Sequence, residues 1–429
     1  MPKFIVEGGY PLNGTIRPAG NKNAALPVLA ATLLTDEPVV LDNIPDIRDV
    51  RTLLELLGRL GIESEWLGPN RLRVHAREVS ASELESELAA RIRASILLAG
   101  PMLARVGRMM LPPPGGDVIG RRRVDTHFLA LSRLGARVES AGGYHIETDG
   151  LCGADVFLDE PSVTATENAI MAAVLARGTT RLRNAAAEPH VQDLCRMLNT
   201  LGARISGIGT HVLEIEGVER LHGGEFRIGC DHIEVGSFIG LAAVTRGEIT
   251  IEDAAVEHLD STLLAFERLG IRCEIRGNSV HVPAEQDREV RTDLGGHIPK
   301  IDDGPWPAFP ADLTSIALVV ATQCHGTVLI HEKMFESRMF FADKIIGMGA
   351  RIVLCDPHRA VVVGPSRLHA GVVESPDIRA GMALLIAALG AEGESLLFNI
   401  GQIERGYERI DERLRALGAR ITRYDSRDP

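Results

Sequence analysis

Leu53-Leu-Glu-Leu-Leu-Gly-Arg-Leu-Gly-Ile62 is the first of six copies of one pattern along the chain. In each copy an amphipathic helical stretch ends in Leu-Gly or Met-Gly, and a strand-like stretch follows. Glycine fits the left-handed position just after a helix, where the chain turns back into a strand. The pattern therefore predicts six repeated units, each with a glycine at the same turn: Gly61, Gly135, Gly202, Gly270, Gly349 and Gly418.

Each unit also carries a second helical stretch, which is rich in Ala and Leu and apolar on nearly all sides. A helix of this kind must be buried all round. These helices are predicted at residues 24–34, 169–176, 238–244, 314–322 and 380–389, with residues 87–112 as a divergent sixth segment. The fold class expected is α/β, with two inside-out α/β domains, each of three repeated βαβαβ-type units with buried helices.

Polar residues open these apolar helices, as at Lys22-Asn23, Glu167-Asn168, Asp231, Asp312 and Asp377. In a threefold arrangement they converge on one end of each domain. Two such ends that face each other form a charged cleft, in which helix N-termini present free N–H groups to anions.

The composition excludes several classes of function. Of 429 residues, 46 are Lys or Arg and 58 are Asp or Glu, which gives a net charge of −12, and only 4% are aromatic. An acidic chain with few aromatic residues argues against nucleic-acid and anionic-membrane partners. The six cysteines show no CxxC spacing, which favours reduced thiols in a cytoplasmic protein and no metal site.

Residues 112–127, called the arginine loop below, begin with Pro-Pro-Pro-Gly-Gly and continue with Asp117 and three arginines, Arg121, Arg122 and Arg123. The prolines and glycines end regular structure. One acid beside a dense positive cluster suits a lid over a multiply anionic substrate. A solvated surface loop with ordinary charges is the alternative.

Seven motifs, taken together, resemble the enolpyruvyl transferase family, and within it the UDP-N-acetylglucosamine 1-carboxyvinyltransferases. The resemblance runs from about residue 3 to 422 and implies domains at residues 22–229 and 1–21 plus 230–429, with the active site in the cleft between them. The motifs are Ala19-Gly-Asn-Lys-Asn-Ala-Ala-Leu-Pro27, Gly115-Gly-Asp-Val-Ile-Gly120, Val124-Asp-Thr-His127, Pro161-Ser-Val-Thr-Ala-Thr-Glu-Asn168, Trp306-Pro-Ala-Phe-Pro-Ala-Asp312, Phe335-Glu-Ser-Arg338 and Arg405-Gly-Tyr-Glu-Arg-Ile410.

The resemblance implies transfer of the enolpyruvyl group of phosphoenolpyruvate to the 3-hydroxyl of UDP-N-acetylglucosamine, with release of phosphate. This reaction is the first committed step of peptidoglycan precursor synthesis. It runs by addition and elimination through a tetrahedral ketal, so the site needs an acid, a base and cations. The resemblance also implies that no cofactor or metal takes part, that no oligomer is required, and that the two small molecules are the only partners.

The matching positions imply roles for individual residues. Asp117 would donate a proton, although most of the family has Cys there, and Asp312 would act as the base. An aspartate is ionised at neutral pH in water, so bound substrate must favour its proton or the substrate phosphate must supply it. Lys22 and Arg405 complete the catalytic set; the substrate-binding set is Asn23, Arg93, Arg122, Val124, Asp125, Thr126, Ser162, Val163, Met334, Arg338, Asp377 and Arg379.

Structural interpretations remain open for three of these residues. Asp312 could cap a helix that starts at Leu313, Ser162 could serve a turn, and Arg379 could form a domain-closure ion pair. Two rival functions also remain: the sister enzyme 3-phosphoshikimate 1-carboxyvinyltransferase, and a non-catalytic paralogue that binds a sugar nucleotide. The paralogue is suggested by departures from the family pattern, namely Asp117, Glu160, Thr164 and His232.

Overall fold

The computed structural model of the protein describes residues 2–117, 119–140 and 142–425. They form two compact units: a first unit of residues 20–117 and 122–229, and a second unit of residues 2–19, 119–121 and 230–425. Each unit has its own hydrophobic core. Residues 119–121 of the arginine loop group with the second unit, where Ser337 N donates to Ile119 O at 3.1 Å.

Three inner helices form the centre of each unit, as the apolar stretches predict. In His232–Thr245 and Thr314–Ala321 every residue is buried, and no described helix is long and apolar enough to cross a membrane. The inner helices are Lys22–Ala31, Ala99–Val106 and Val163–Ala173 in the first unit, and His232–Thr245, Thr314–Ala321 and Ile378–Gly390 in the second. Short 3-10 turns extend three of them, at Thr32–Leu34, Arg93–Leu98 and Ala311–Leu313.

Three sheets surround the inner helices of each unit, so the helices lie inside and the strands outside. In five sheets three strands are antiparallel and the fourth pairs parallel at one edge. The sixth sheet has three strands, with only an isolated parallel bridge between Glu83 and Met110 at the corresponding edge. This is the segment that the sequence marks as divergent, and the α/β inside-out fold is confirmed.

Within each sheet, neighbouring strands follow one another in the orders below. The first unit contains the sheets Arg204–Ser206, Val212–Glu216, Thr179–Arg183, Asp155–Phe157; Gly224–Arg227, Val39–Asp42, Arg71–His75, Glu63–Gly68; and Arg108–Leu111, Tyr144–Glu147, Arg137–Ser140. The second unit contains the sheets Val372–Glu374, Gly393–Phe398, Lys3–Gly8, Arg420–Tyr424; Glu274–Arg276, Ser279–Val282, Ile249–Ile251, Gly14–Ile16; and Lys300–Asp302, Gly326–His331, Arg359–Gly364, Arg351–Asp356.

Amphipathic outer helices alternate with the inner ones, and each is followed by a predicted glycine. The six glycines have φ between +74° and +103°, so the predicted left-handed turn is confirmed at every copy. The outer helices are Arg48–Arg59, Asp125–Arg133, Pro189–Thr200, Asp260–Arg268, Ala342–Gly347 and Ile410–Ala416. The remaining short helices are Ser86–Ala89, Val256–His258, Leu294–Gly296, Arg338–Phe341 and Ile400–Arg405.

A matched pair of glycines tests this turn. Gly418 has φ +98° and open space where a Cβ would lie, so Gly418→Ala introduces backbone strain alone. We expect it to lower the free energy of unfolding by about 1–2 kcal/mol. Gly58, inside the helix Arg48–Arg59, is equally unobstructed, and Gly58→Ala should raise that free energy by about 0.4–1 kcal/mol. Chemical denaturation measures both, and equal effects would contradict the assigned turn.

Asparagines support the segments that lead into three inner helices. Asn43, Asn184 and Asn399 adopt φ of 56–58°, directly after a strand. Their Nδ2 atoms donate at 2.9 Å to the carbonyls of Ile228, Leu158 and Ser375, respectively. Each of these carbonyls follows the parallel edge strand of the sheet, so the side chain fixes the backbone that continues into an inner helix.

Candidate active site

Four of the six inner helices are capped at the N-terminus by a side chain. Asn21, Asp231 and Asp377 each accept hydrogen bonds from two backbone N–H groups, and Ser162 Oγ accepts one from Ala165 N at 3.4 Å. These side-chain oxygens satisfy one or two of the N–H groups that are expected to be free at each of these helix starts. The turn interpretation of Ser162 is confirmed, and Val163 is the first residue of its helix.

Lys22 is the first residue of an inner helix and is only 8% exposed. Its Nζ lies 2.9 Å from Asp49 Oδ2 in the helix Arg48–Arg59. A buried ammonium needs such a partner, and the pair holds the side chain in one orientation. Asn23 lies two residues after the cap Asn21 and is half-buried.

The arginine loop has no regular structure over residues 112–117. A Cβ on Gly115 would lie 1.7 Å from Ala90 O, so only glycine permits this approach of the loop to the chain before Arg93. Asp117, at the end of this stretch, is half-buried.

The side chain of Arg93 holds the backbone of the arginine loop through hydrogen bonds. Its Nη2 donates to the carbonyls of Arg122 and Arg123 at 2.9 and 2.8 Å. Burial, and then the charge of Arg122, lowers the pKa of Arg93 to about 10.

The other predicted nucleotide-binding residues lie where the arginine loop enters the helix Asp125–Arg133. Thr126 Oγ1 donates to Asp159 Oδ1 at 2.7 Å, and Arg123 pairs with Asp125 and Asp159 at 3.2 Å each. Val124 precedes the helix without a side-chain cap. These contacts place Val124, Asp125 and Thr126 beside the turn that contains Ser162 and Val163.

A buried polar network below this turn was not predicted. The side chain of Asn168 donates to His127 Nδ1 and Ile96 O, both at 2.8 Å, and accepts from Gly100 N at 2.7 Å. Because an amide nitrogen only donates, His127 Nδ1 accepts, and Nε2–H donates to Thr164 Oγ1 at 3.0 Å. Asn168 and its neighbour Glu167 lie inside the helix Val163–Ala173, which corrects their predicted place at a helix start.

The His127 network predicts a dependence of stability on pH. Burial, and then the charge of Arg93, lowers the pKa of His127 from 6.5 to about 3. Below pH 6.5 the unfolded chain takes up a proton that the folded chain excludes, so His127 lowers the free energy of unfolding by about 1.4 kcal/mol per pH unit between pH 6.5 and 3. Chemical denaturation at several pH values measures this slope. We expect the free energy of unfolding of His127→Gln to fall less steeply as pH is lowered, by the amount of the slope. Parallel pH profiles for the two proteins would contradict the assignment.

In the second unit, Asp312 is held between two buried arginines. Arg338 Nη2 lies 3.1 Å from Asp312 Oδ1, and Arg379 Nε donates to Asp312 Oδ2 at 3.0 Å. The helix that follows starts at Thr314 and has no side-chain cap, so the interpretation of Asp312 as an N-cap is wrong. Its carboxylate is used by the two arginines, which come from distant parts of the chain.

Both arginines retain buried N–H groups without an acceptor among the described residues. Arg338 and Arg379 are each 4% exposed, and Arg338 Nε and Nη1 and Arg379 Nη1 have no hydrogen-bond partner among the described residues. Burial opposes the charge of Arg379, but Asp312 and Tyr407 hold its pKa above the usual value. Buried guanidinium N–H groups without acceptors are costly in a protein, and a bound phosphate or carboxylate satisfies them.

The remaining predicted residues of this unit lie on nearby elements. Asp377 caps the inner helix that contains Arg379. Arg405, in the 3-10 helix Ile400–Arg405, donates through Nη1 to Gln402 Oε1 at 3.0 Å, and Met334 is 41% exposed. No described group of three or more His, Cys, Asp or Glu side chains is arranged to hold a metal ion.

A group of three rings near Asp312 was also missed. His232, His258 and Trp306 have ring centroids 6.0–6.4 Å apart, each pair in an edge-to-face arrangement. Burial, and then the charges of His258 and Arg379, lowers the pKa of His232 to about 3. His232 is therefore an uncharged ring at neutral pH.

Two buried arginines beside one carboxylate suit the binding of an anionic molecule. Comparison with known proteins identifies the family. A protein of Bradyrhizobium diazoefficiens named UDP-N-acetylglucosamine 1-carboxyvinyltransferase is 61% identical over 425 residues, which are 99% of either chain. The chain belongs to the UDP-N-acetylglucosamine 1-carboxyvinyltransferase family. A member from Treponema denticola is 59% identical over 98% of this chain and 99% of its own.

The wider enolpyruvyl transferase relationship is visible in profile and structure. The family profile of EPSP synthase (3-phosphoshikimate 1-carboxyvinyltransferase) matches residues 6–414. The crystal structure of the enolpyruvyl transferase NikO from Streptomyces tendae superposes with a TM-score of 0.87 at 25% identity, over 98% of both chains. EPSP synthase from Acinetobacter baumannii, at 15% identity and TM-score 0.75, covers 99% of this chain and 100% of its own and shares the fold.

The sequence motifs contained three of the residues that were missed, but not the contacts between them. His127 and Asn168 close two of the motifs, and Trp306 opens a third. A polar residue inside an otherwise apolar helix, such as Asn168, was the signal available for a buried network. Its partner His127 is 41 residues away, so only the fold brings them together.

Proposed function

We propose that this carboxyvinyltransferase transfers the enolpyruvyl group of phosphoenolpyruvate to the 3-hydroxyl of UDP-N-acetylglucosamine and releases phosphate. The observation that carries the proposal is the carboxylate of Asp312 between Arg338 and Arg379, whose remaining N–H groups await an anion. The names of relatives with about 60% identity support the sugar nucleotide as acceptor. The reaction opens the synthesis of peptidoglycan precursors, and we propose that it takes place in the cytoplasm.

The cations of both units contribute to this reaction. Lys22, Arg122 and Arg405 bind the phosphate and carboxylate of phosphoenolpyruvate, together with Arg338 and Arg379. Fixed cations stabilise charge that develops on the phosphate as it leaves. Arg93 acts by holding the backbone of Arg122 and Arg123.

Two carboxyl groups move the protons. As the sugar 3-hydroxyl attacks C2 of phosphoenolpyruvate, its proton passes to Asp312, and Asp117 gives a proton to C3, which becomes a methyl group. The tetrahedral ketal then returns a proton from this methyl group to the Asp117 carboxylate while the C2–O bond to phosphate breaks. The proton held by Asp312 passes to the leaving phosphate. The vinyl ether and inorganic phosphate leave, and the protons balance.

The other predicted residues bind the acceptor. Val124, Asp125, Thr126, Ser162 and Val163 surround one turn of the first unit, where we place the uridine and diphosphate. Asn23, Met334 and Asp377 contact the sugar and the reacting centre. Thr164, where the family usually has glycine, accepts a hydrogen bond from His127 Nε2–H through its hydroxyl oxygen.

Phosphate release from phosphoenolpyruvate tests the proposal, with UDP-N-acetylglucosamine or shikimate 3-phosphate as acceptor. We expect release only with the sugar nucleotide. Release only with shikimate 3-phosphate would assign the sister reaction. Binding of the sugar nucleotide without release under either condition would indicate a non-catalytic paralogue.

A further inference from the structure

Two carboxyl groups lie next to Arg338, and the proposed mechanism does not use them. The strands Lys300–Asp302 and Gly326–His331 are parallel, with Asp302 opposite His331. The next residues, Asp303 and Glu332, are therefore neighbours, and neither has any solvent exposure. Two carboxylates in one buried place repel each other and lack water.

Each carboxyl group has one satisfied oxygen. Asp303 Oδ1 accepts from Lys333 N, while Glu332 Oε1 accepts from Met334 N at 3.3 Å and from Phe335 N at 3.2 Å. The second oxygens, Asp303 Oδ2 and Glu332 Oε2, have no donor among the described residues. A single proton shared by the two groups makes one of these oxygens a donor and the other its acceptor, so both have a partner.

The pair also determines what Arg338 is free to bind. Glu332 Oε2 lies 3.8 Å from Arg338 Nε, which is too long for a hydrogen bond. Arg338 Nη2 is used by Asp312, and the guanidinium lies over the ring of Phe335 at 4.9 Å. A neutral Glu332 leaves Nε and Nη1 to a ligand, whereas an ionised Glu332 would draw the guanidinium to itself.

We propose that Asp303 and Glu332 share one proton at neutral pH and act as a positioning pair, which keeps Arg338 available to the anionic group of phosphoenolpyruvate. The first part rests on the buried geometry alone, and the second part rests on the proposed function. The backbone bonds of the pair also fix the turn that carries Met334 and Phe335.

The surroundings of Glu332 favour this state. The groups that face it are Asp303, the Thr314 hydroxyl and Arg338, while His358 Nδ1 bonds its backbone carbonyl at 2.7 Å. Lys333, the next residue, pairs with Asp302 instead. Burial, and then the hydrogen bond to Asp303, raises the pKa of Glu332 to about 9, against the opposing charge of Arg338.

Deprotonation of Glu332 should weaken the binding of phosphoenolpyruvate at alkaline pH. As pH rises toward 9, Glu332 loses the proton and competes with substrate for Arg338, so the KM for phosphoenolpyruvate should rise. Because the unfolded side chain ionises near pH 4.5, the stability that the proton confers is present below that pH and is lost as pH rises through about 9.

Three variants test the pair: Glu332→Gln, which keeps the shape of the neutral acid, Glu332→Ala and Asp303→Asn. In infrared difference spectra at neutral pH, wild type minus Glu332→Gln should show the carbonyl band of a protonated carboxylic acid. The exposed Glu392, paired with Arg367, is the control, and Glu392→Gln should remove only a carboxylate band. These spectra need no enzymatic activity, so they test the pair even if the proposed reaction fails.

Kinetics test the positioning role. We expect Glu332→Gln to keep kcat and KM near wild type at neutral pH and to lose the rise of KM at alkaline pH. Glu332→Ala should lower kcat/KM roughly 10- to 100-fold, because Arg338 and its turn lose their support. Asp303→Asn supplies an amide donor to Glu332, so the rise of KM should move to lower pH. Absence of the protonated-acid band, or equal losses in Glu332→Gln and Glu332→Ala, would overturn the proposal.

Discussion

Asp312→Asn should lower kcat roughly 10²- to 10⁴-fold, the range expected when a general base is removed. The amide preserves the size of the side chain but cannot take the proton of the sugar hydroxyl. It also leaves Arg338 and Arg379, both buried, without their shared counter-ion. Since Asp312 is one-quarter exposed, we expect the free energy of unfolding to fall by about 1–3 kcal/mol, less than for a fully buried pair.

Asp356→Asn is the matched control for this effect. Asp356 has a similar side-chain exposure, 29% against 25%, and also accepts two hydrogen bonds from an arginine, Arg359. That arginine is exposed, so the loss in stability should be clearly smaller than for Asp312→Asn, and kcat should not change. Similar kcat values for the two variants would show that Asp312 has no part in proton transfer.

The second large effect concerns the Asp117 position. A thiol-alkylating epoxide analogue of phosphoenolpyruvate, which inactivates family members with Cys there, should leave this protein fully active. A carboxylate is a much weaker nucleophile than a thiolate, and the sequence has no cysteine within the arginine loop. Activity after prolonged incubation with the epoxide, and the mass of the intact protein, measure the outcome.

Asp117→Cys provides the positive control. The loop arginines favour a thiolate at that position, so the variant should be labelled once and lose activity in proportion. Asp117→Asn should lose transfer activity with both substrates bound. Stoichiometric labelling of residue 117 in the wild type would contradict the assigned chemistry, as would full activity of Asp117→Asn.

Local signals accounted for the architecture. The turn glycines and the uniformly apolar helices follow from short stretches of sequence, because a left-handed turn and a buried helix each leave a local pattern. The start of the helix Val163–Ala173 was misplaced, since Val163, Thr164 and Thr166 have low helix propensity and the buried position overrides it. Ser162 was the available signal for that start.

The site was predicted as a set of residues and not as a set of contacts. The motifs singled out Asp312, Arg338 and Arg379, but their ion pairs join residues up to 67 positions apart. Asp303 and Glu332 were not recognised as a pair, because only the register of two parallel strands makes them neighbours. Long-range pairing of this kind leaves no periodic trace in a single sequence.

The most direct test of the account is the mass spectrum of the product formed from phosphoenolpyruvate and UDP-N-acetylglucosamine in D₂O. Protonation of C3 from an exchangeable donor makes a CH₂D group in the ketal, and elimination then removes either H or D. We predict an enolpyruvyl ether of the sugar nucleotide, part of which carries deuterium in its vinyl group. Absence of this ether, or an ether that never contains deuterium, would contradict the proposed addition and elimination.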